Sequence, residues 1–262
     1  MARYDMPAMF GPSLLPDQSA VAGTFVAAIG FETEREAVLP LLPRFFQVAD
    51  TPVVTLTYID YPSLEYLGGR GYHELVVAVA ATFTGANEEI RAGFAPVMWV
   101  DQAGALISGR EFMGFGKLLG GFQAERGDEE VRFRCSEYDS PLVDGRATGL
   151  KQVSDDGLAR INAGARSVNS FGWKYIGSDG RVPDADYPLV NVTRWNYTRA
   201  WSGDGRLEFH SPSASQAPLS SRIIAALSAL PVVAWRRSFV AEGDVVIDRT
   251  ATRRLSETLV AG

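Results

Sequence analysis

The chain has 262 residues, a formal net charge of -6, 46% hydrophobic residues and 21% charged residues. That length and apolar fraction exclude a minimal module and wholesale disorder, and they leave room for a sizeable core. An acidic chain without Lys/Arg clusters lacks the field that drives phosphate-backbone binding, which excludes nucleic acid as a partner.

Met1 to Pro16 carries Asp5 and prolines but no apolar signal core after a basic start, so a cytoplasmic location is the expectation. The longest nearly apolar runs, Val21 to Gly30 and Leu75 to Phe83, are far short of a membrane span. Ala22 to Phe31 reads as a strand. Thr33 to Leu39 reads as a helix opened by a Thr33-x-x-Glu36 capping box and limited by Pro40. Strands follow over Pro52 to Tyr61, His73 to Phe83 and Ala95 to Val100, each rich in Val, Thr and aromatics. Asp101 to Met113 reads as a second helix, with Asp101 as N-cap and Gly114 as stop. Glu130 to Ser136 and Arg146 to Val153 read as strands, and the small, polar run Ser154 to Arg166 as a loop or short helix.

Leu189 to Arg199 and Leu207 to His210 continue the strand pattern, with the triplets Asn191-Val192-Thr193 and Asn196-Tyr197-Thr198 read as chance glycosylation matches. Ser220 to Leu230 places Ile223, Ile224, Leu227 and Leu230 at helical spacing before Pro231. Val232 to Thr250 reads as two strands around a turn at Glu242-Gly243-Asp244. Many strands, few helices and no βαβ alternation predict an α+β fold, predominantly antiparallel and barrel-like. No linker divides the chain, so residues 1–262 are expected to form one domain.

Of the 25 basic residues, only Lys117, Lys151 and Lys174 are lysines, the side chain that can lose its proton and act as a nucleophilic amine. Lys117 stands in Gly109-Arg110-Glu111-Phe112-Met113-Gly114-Phe115-Gly116-Lys117-Leu118-Leu119-Gly120-Gly121. The segment is not a phosphate-binding loop, because Glu111 takes the first-glycine position and Leu118 the Ser/Thr position. A charged amine among Phe115, Leu118 and Leu119 is costly to desolvate. Two outcomes remain open: the amine snorkels to water, or it is buried in the neutral form that Schiff-base chemistry needs. Glu74 reads by itself as a strand-end carboxylate facing solvent or pairing with Arg70. Arg110 and Glu111 brace the helix end as an ion pair, or Arg110 holds a carboxylate. His73 and His210 read as ordinary strand residues and lone Cys135 as a small buried apolar group, so no metal cluster and no disulfide are expected.

The Lys117 segment resembles the active-site stretch of the acetoacetate decarboxylase family, roughly Gly-Arg-Glu, a few residues, then aromatic-Pro-Lys-Lys. Similar features run through the chain in order: Phe10-Gly11-Pro12, Leu41-Leu42-Pro43, Tyr72-His73-Glu74, Pro96 to Val100 before Asp101, Trp201-Ser202-Gly203, and Pro218 to Pro231. The resemblance implies an antiparallel, barrel- or cone-like α+β domain around an apolar pocket, a homo-oligomer, and no cofactor. It implies Lys117 as the Schiff-base lysine and Glu74 as a proton-transfer group, with Arg110, Phe115, Leu118 and Met98 contacting a small keto-acid substrate. Acetoacetate decarboxylase is itself the standard example of a lysine activated by desolvation or a neighbouring cation. Here Leu118 replaces the neighbouring lysine and Gly116 the proline. Thr57 stands where an acidic residue is expected, and the arginine expected near Thr24 is absent. The implied activity is a Schiff-base lyase on a small keto acid. The alternatives are an aldolase-dehydratase on pyruvate-like substrates, a non-covalent isomerase or cyclase using Glu74, and a non-catalytic barrel that binds a small apolar ligand.

Overall fold

A computed structural model describes residues 3–85 and 88–256. Among them the strands are β1 (Gln18–Glu32), β2 (Phe46–Val48), β3 (Val53–Leu64), β4 (Arg70–Thr84), β5 (Glu89–Val100), β6 (Lys117–Leu119) and β7 (Gly121–Arg126). They continue with β8 (Glu130–Glu137), β9 (Ser140–Gln152), β10 (Val168–Ile176), β11 (Ala185–Phe209), β12 (Ala234–Trp235) and β13 (Arg237–Arg254). The helices are α1 (Arg35–Val38), α2 (Ala103–Glu111), α3 (Asp155–Ala165) and α4 (Ser221–Ser228). The class is α+β and predominantly antiparallel, as expected.

The main path of the sheet runs β10-β5-β4-β3-β1-β13-β11-β9-β8-β7, and β10 also pairs with β11. Seven strands, β10-β5-β4-β3-β1-β13-β11, therefore return on themselves. Side chains alternate across these strands with period two, so each strand serves two compartments. On β4, Leu75, Val77 and Val79 enter a core shared with Phe31, Leu56, Trp99, Phe133 and Leu142. Helix α4 adds Ile224 and Leu227 to that core, and the Trp99 indole donates to Ser220 Oγ at 2.9 Å. The alternate residues Tyr72 and Val76 face a second cluster with Val26, Ile59, Met98 and Ile247, to which α2 contributes Ala105.

Several expectations need correction. Helix α1 is one turn followed by a 3-10 turn over Leu39–Leu41, and its N-cap is Glu34, without a capping bond. Thr33 is held in extended backbone by its N–H bond to Pro52 O, so the capping box does not form and its Oγ1 is buried without a partner. Helix α2 is capped by Gln102, whose side chain accepts from Gly104 N, and not by Asp101. Of the two readings for Ser154 to Arg166 the helix holds, because Ser154 Oγ accepts from Gly157 N while Asp155 and Asp156 occupy the positive first turn. Glu242-Gly243-Asp244 is no turn: β13 runs through it, pairing Gly243 with both Thr24 and Tyr197. A Cβ at Gly243 would sit 2.3 Å from Asn196 O, so this glycine permits close backbone approach at a bulge. β11 likewise continues unbroken where two strands were expected.

Candidate active site

The Lys117 backbone is fixed from several sides. Helix α2 ends at Glu111, whose carbonyl accepts from Lys174 Nζ, and the chain turns at Gly114 with φ of 66°. Phe115 N donates to Gly109 O at 3.0 Å, Trp173 N to Gly114 O at 2.8 Å, and Met98 N to Gly116 O at 3.1 Å. Buried Asn191 donates from Nδ2 to Met113 O at 2.9 Å, and its Oδ1 accepts from Thr252. Strand β6 then pairs in parallel with β5, setting Lys117 opposite Met98. Met98 is opposite Val76 on β4, two residues from Glu74. Lys117, Met98, Val76 and Glu74 thus share one face.

Lys117 does not snorkel. It is 5% exposed, and its Nζ donates to Glu74 Oε2 at 2.5 Å, with Glu74 also 5% exposed. The solvent-facing and Arg70-paired alternatives for Glu74 are therefore excluded; Arg70 donates to Leu67 O instead. The ammonium lies 5.6 Å from the Tyr72 ring centroid. Its stem rests on Gly109 of α2, where an added Cβ would come within 2.5 Å of Lys117 Cε. Breaking a buried pair of this kind strands a charge and costs about 3–5 kcal/mol.

This pair opens into a cavity of about 290 Å³, at the low end for small-molecule sites. Each strand of the ring contributes: Ser170 (β10), Met98 (β5), Tyr72 (β4), Ile59 (β3), Val26 (β1), Arg249 (β13) and Trp195 (β11). Phe115 and Thr57 also line it. Two expected contact residues do not. Leu118, next in the strand after Lys117, turns to the opposite face and packs on the main core. Arg110 donates from Nη1 to Lys117 O at 3.1 Å, bracing the backbone of the lysine from outside the cavity. Nor does Arg110 pair with Glu111, which accepts from Met6 N at 3.3 Å.

Burial, reinforced by the charge of Glu74, pushes the Tyr61 and Tyr72 hydroxyls well above their usual range, so both remain protonated donors. The two rings stack with centroids 4.6 Å apart. His73, beside Glu74 but on the other face, pairs through Nδ1 with Asp101 Oδ2 at 2.6 Å. A larger, open depression of about 620 Å³ lies over β7, β8 and β9. Arg134 pairs there with Asp144 at 2.7 Å, and the lining holds no buried nucleophile.

The residue-by-residue reading missed Arg249 and Asn191. Arg249 is 5% exposed, with Nη1 donating to Pro16 O at 3.0 Å and Ser19 Oγ at 2.9 Å. The signal for it is period two: Val245, Ile247 and Arg249 alternate on one face of β13, the first two in the cavity-side cluster. Asn191 carries no comparable signal, because its role depends on a carbonyl 78 positions away. Among the described residues no group of three or more His, Cys, Asp or Glu could hold a metal ion.

Comparison with known proteins completes the picture. Residues 5–249 match the family model described as acetoacetate decarboxylase. The decarboxylase DEC1 of Cochliobolus heterostrophus is 29% identical over 195 residues, covering 71% of each chain. A solved acetoacetate decarboxylase superposes with a TM-score of 0.78 at 17% identity, covering 98% of this chain and 96% of that one. The enduracididine biosynthesis enzyme MppR, complexed with pyruvate, superposes with a TM-score of 0.69 at 14% identity, with 97% of each chain covered.

Proposed function

We propose that this chain, which belongs to the acetoacetate decarboxylase family, is a carbon-carbon lyase that forms a Schiff base with a small keto acid through Lys117. The observation that carries the reading is the buried Lys117–Glu74 pair, at 2.5 Å, opening into a mainly apolar cavity.

Proton transfer along that hydrogen bond leaves a neutral amine and a protonated Glu74. The amine adds to the ketone carbon. Glu74 returns its proton to the departing hydroxyl as water leaves, giving an iminium ion. Cleavage of the bond to the carboxylate sends its electron pair into the iminium and releases carbon dioxide. The resulting enamine takes one proton from solvent at carbon, and Glu74 is the carboxylate positioned to relay it. Addition of water to the regenerated iminium frees the ketone product and the protonated lysine. Apolar walls around the reacting atoms strengthen each electrostatic step.

An aldolase-dehydratase on a pyruvate-like substrate is the second reading. It draws on the likeness to MppR, solved with pyruvate, and on Leu118 facing the core where the family motif has a second lysine. Both reactions share the iminium intermediate. The test is to incubate the protein with acetoacetate, pyruvate and a larger β-keto acid under borohydride, then measure intact mass and map the adduct. A reduced adduct on Lys117, lost in Lys117→Ala, is expected; the acid that labels fastest separates the two readings. No adduct with any of them would overturn both and favour non-covalent catalysis or ligand binding.

A further inference from the structure

We infer that Arg249 is the carboxylate anchor of this cavity, a cation supplied from β13 that fixes the acid group of the substrate while Lys117 engages its ketone. The inference deepens the keto-acid reading and rests on it for the identity of the ketone partner.

Two independent observations carry it. The first is an unfinished set of hydrogen bonds. Arg249 lines the cavity and is 95% buried, since its exposure is 5%. Nη1 is satisfied by Pro16 O and Ser19 Oγ, which pin the guanidinium to the start of β1. Nε is buried and has no partner. Among the described residues no carboxylate pairs with this guanidinium. The groups that act on its charge are Tyr66, Tyr72 and Arg3. Tyr66 acts on the guanidinium through a side-chain hydrogen bond as well as through its ring, 5.4 Å from Cζ, and Nε is still left without a partner. A buried charged donor left unmatched is rare and calls for an acceptor.

The second observation is the charge of the cavity. Its ionisable Lys, Arg, Asp and Glu residues are Glu74, Lys117 and Arg249. Glu74 is already engaged by Lys117. One positive charge therefore remains without a counterion in a low-dielectric space, and a single carboxylate is the ligand that balances it. Burial pulls the Arg249 guanidinium below its usual range, yet an arginine stays protonated throughout the physiological range. It thus holds an anion whether or not Lys117 has given up its proton.

The test separates anchoring from imine chemistry by using ligands that cannot form an imine. Protein labelled with nitrogen-15 in arginine is titrated with butyrate and with butyramide, following the Arg249 Nε–H resonance. Butyrate is expected to move that resonance and butyramide to leave it in place. Arg249→Met should weaken butyrate binding at least tenfold and leave butyramide unchanged. In the borohydride assay, the wild type should label faster with acetoacetate than with methyl acetoacetate by about tenfold, and Arg249→Met should bring the ratio near one. Should the variant fail to fold, the wild-type resonance decides alone. An unmoved Nε–H resonance with saturating butyrate overturns the assignment. A moved resonance without any Lys117 adduct would keep Arg249 as the anchor and remove the Schiff-base reading.

Discussion

At the scale of single residues, Glu74 and Lys117 form one buried hydrogen-bonded pair. On the Schiff-base proposal, replacing Glu74 by Gln removes the base while keeping a group of the same shape beside the amine. Turnover should fall by about 10²–10⁴, the usual worth of a positioned general base. Borohydride labelling at Lys117 should slow with it, and rapid-quench mass measurement would check both. Undiminished labelling would assign proton transfer elsewhere. His73 offers a separate readout. Its hydrogen bond with Asp101 holds the imidazolium above its usual range near 6.5. The folded state therefore binds the proton more tightly than the unfolded one, so this stabilisation is complete below about 6.5 and fades as pH rises through the folded value. His73→Gln should lower the urea midpoint more at pH 5.5 than at pH 8.5. Equal losses at both would show the contact to be indifferent to charge.

Lys117 was legible in the sequence because lysine is scarce there and its neighbours are apolar, and the family resemblance then gave it a role. Arg249 was hidden among 22 arginines, which follow from 25 basic residues less the lysines Lys117, Lys151 and Lys174. Its one local signal is the period-two spacing after Val245 and Ile247; its burial, an outcome of tertiary packing, is what sets it apart from the surface ones. Leu118 and Arg110 mark the converse error. Leu118, next to the lysine in sequence, falls on the opposite face of the strand, and Arg110, on α2, bonds the lysine's carbonyl from behind the backbone.

At the scale of elements, α2 and β6 meet through one missing side chain. Gly109→Ala would drive a methyl group into the Lys117 stem, at 2.5 Å from Cε in the present geometry. Overpacking of this kind costs about 1–3 kcal/mol, and an ångström of misplacement at a reacting atom costs roughly a hundredfold in rate. The expected result is a folded protein, slightly lower in Tm, with borohydride labelling slowed about a hundredfold. Normal labelling would mean the stem has room to move aside. The long strands were well predicted wherever Val, Thr and aromatics alternate. β10 escaped because Ser170, Gly172 and Lys174 break the pattern, and β7 because the polar run Gln123 to Arg126 sits on its exposed arm. Turn-like composition in β11 and β13 misled for the opposite reason: those glycines admit neighbouring backbone, a requirement that local sequence cannot announce.

At the scale of the whole molecule, the main core and the cavity lie on opposite sides of the same strands. Leu227→Ala on α4 should cost about 2–5 kcal/mol, the range for a buried leucine truncation. It should leave the rate of Lys117 labelling unchanged well below the melting temperature. Calorimetry together with the mass assay would check this, and a matching loss of labelling would mean that the core and the cavity are energetically coupled.

The alternation along β4 has an evolutionary corollary. Leu75 and Val77 pack in the main core while Tyr72, Glu74 and Val76 line the cavity, so on the proposed function neighbouring codons would meet different demands. Drift at the second set reshapes what the protein accepts without revisiting how it folds. A lineage built on such strands can try new substrates in single steps, retaining at each one a chain that still reaches its native state.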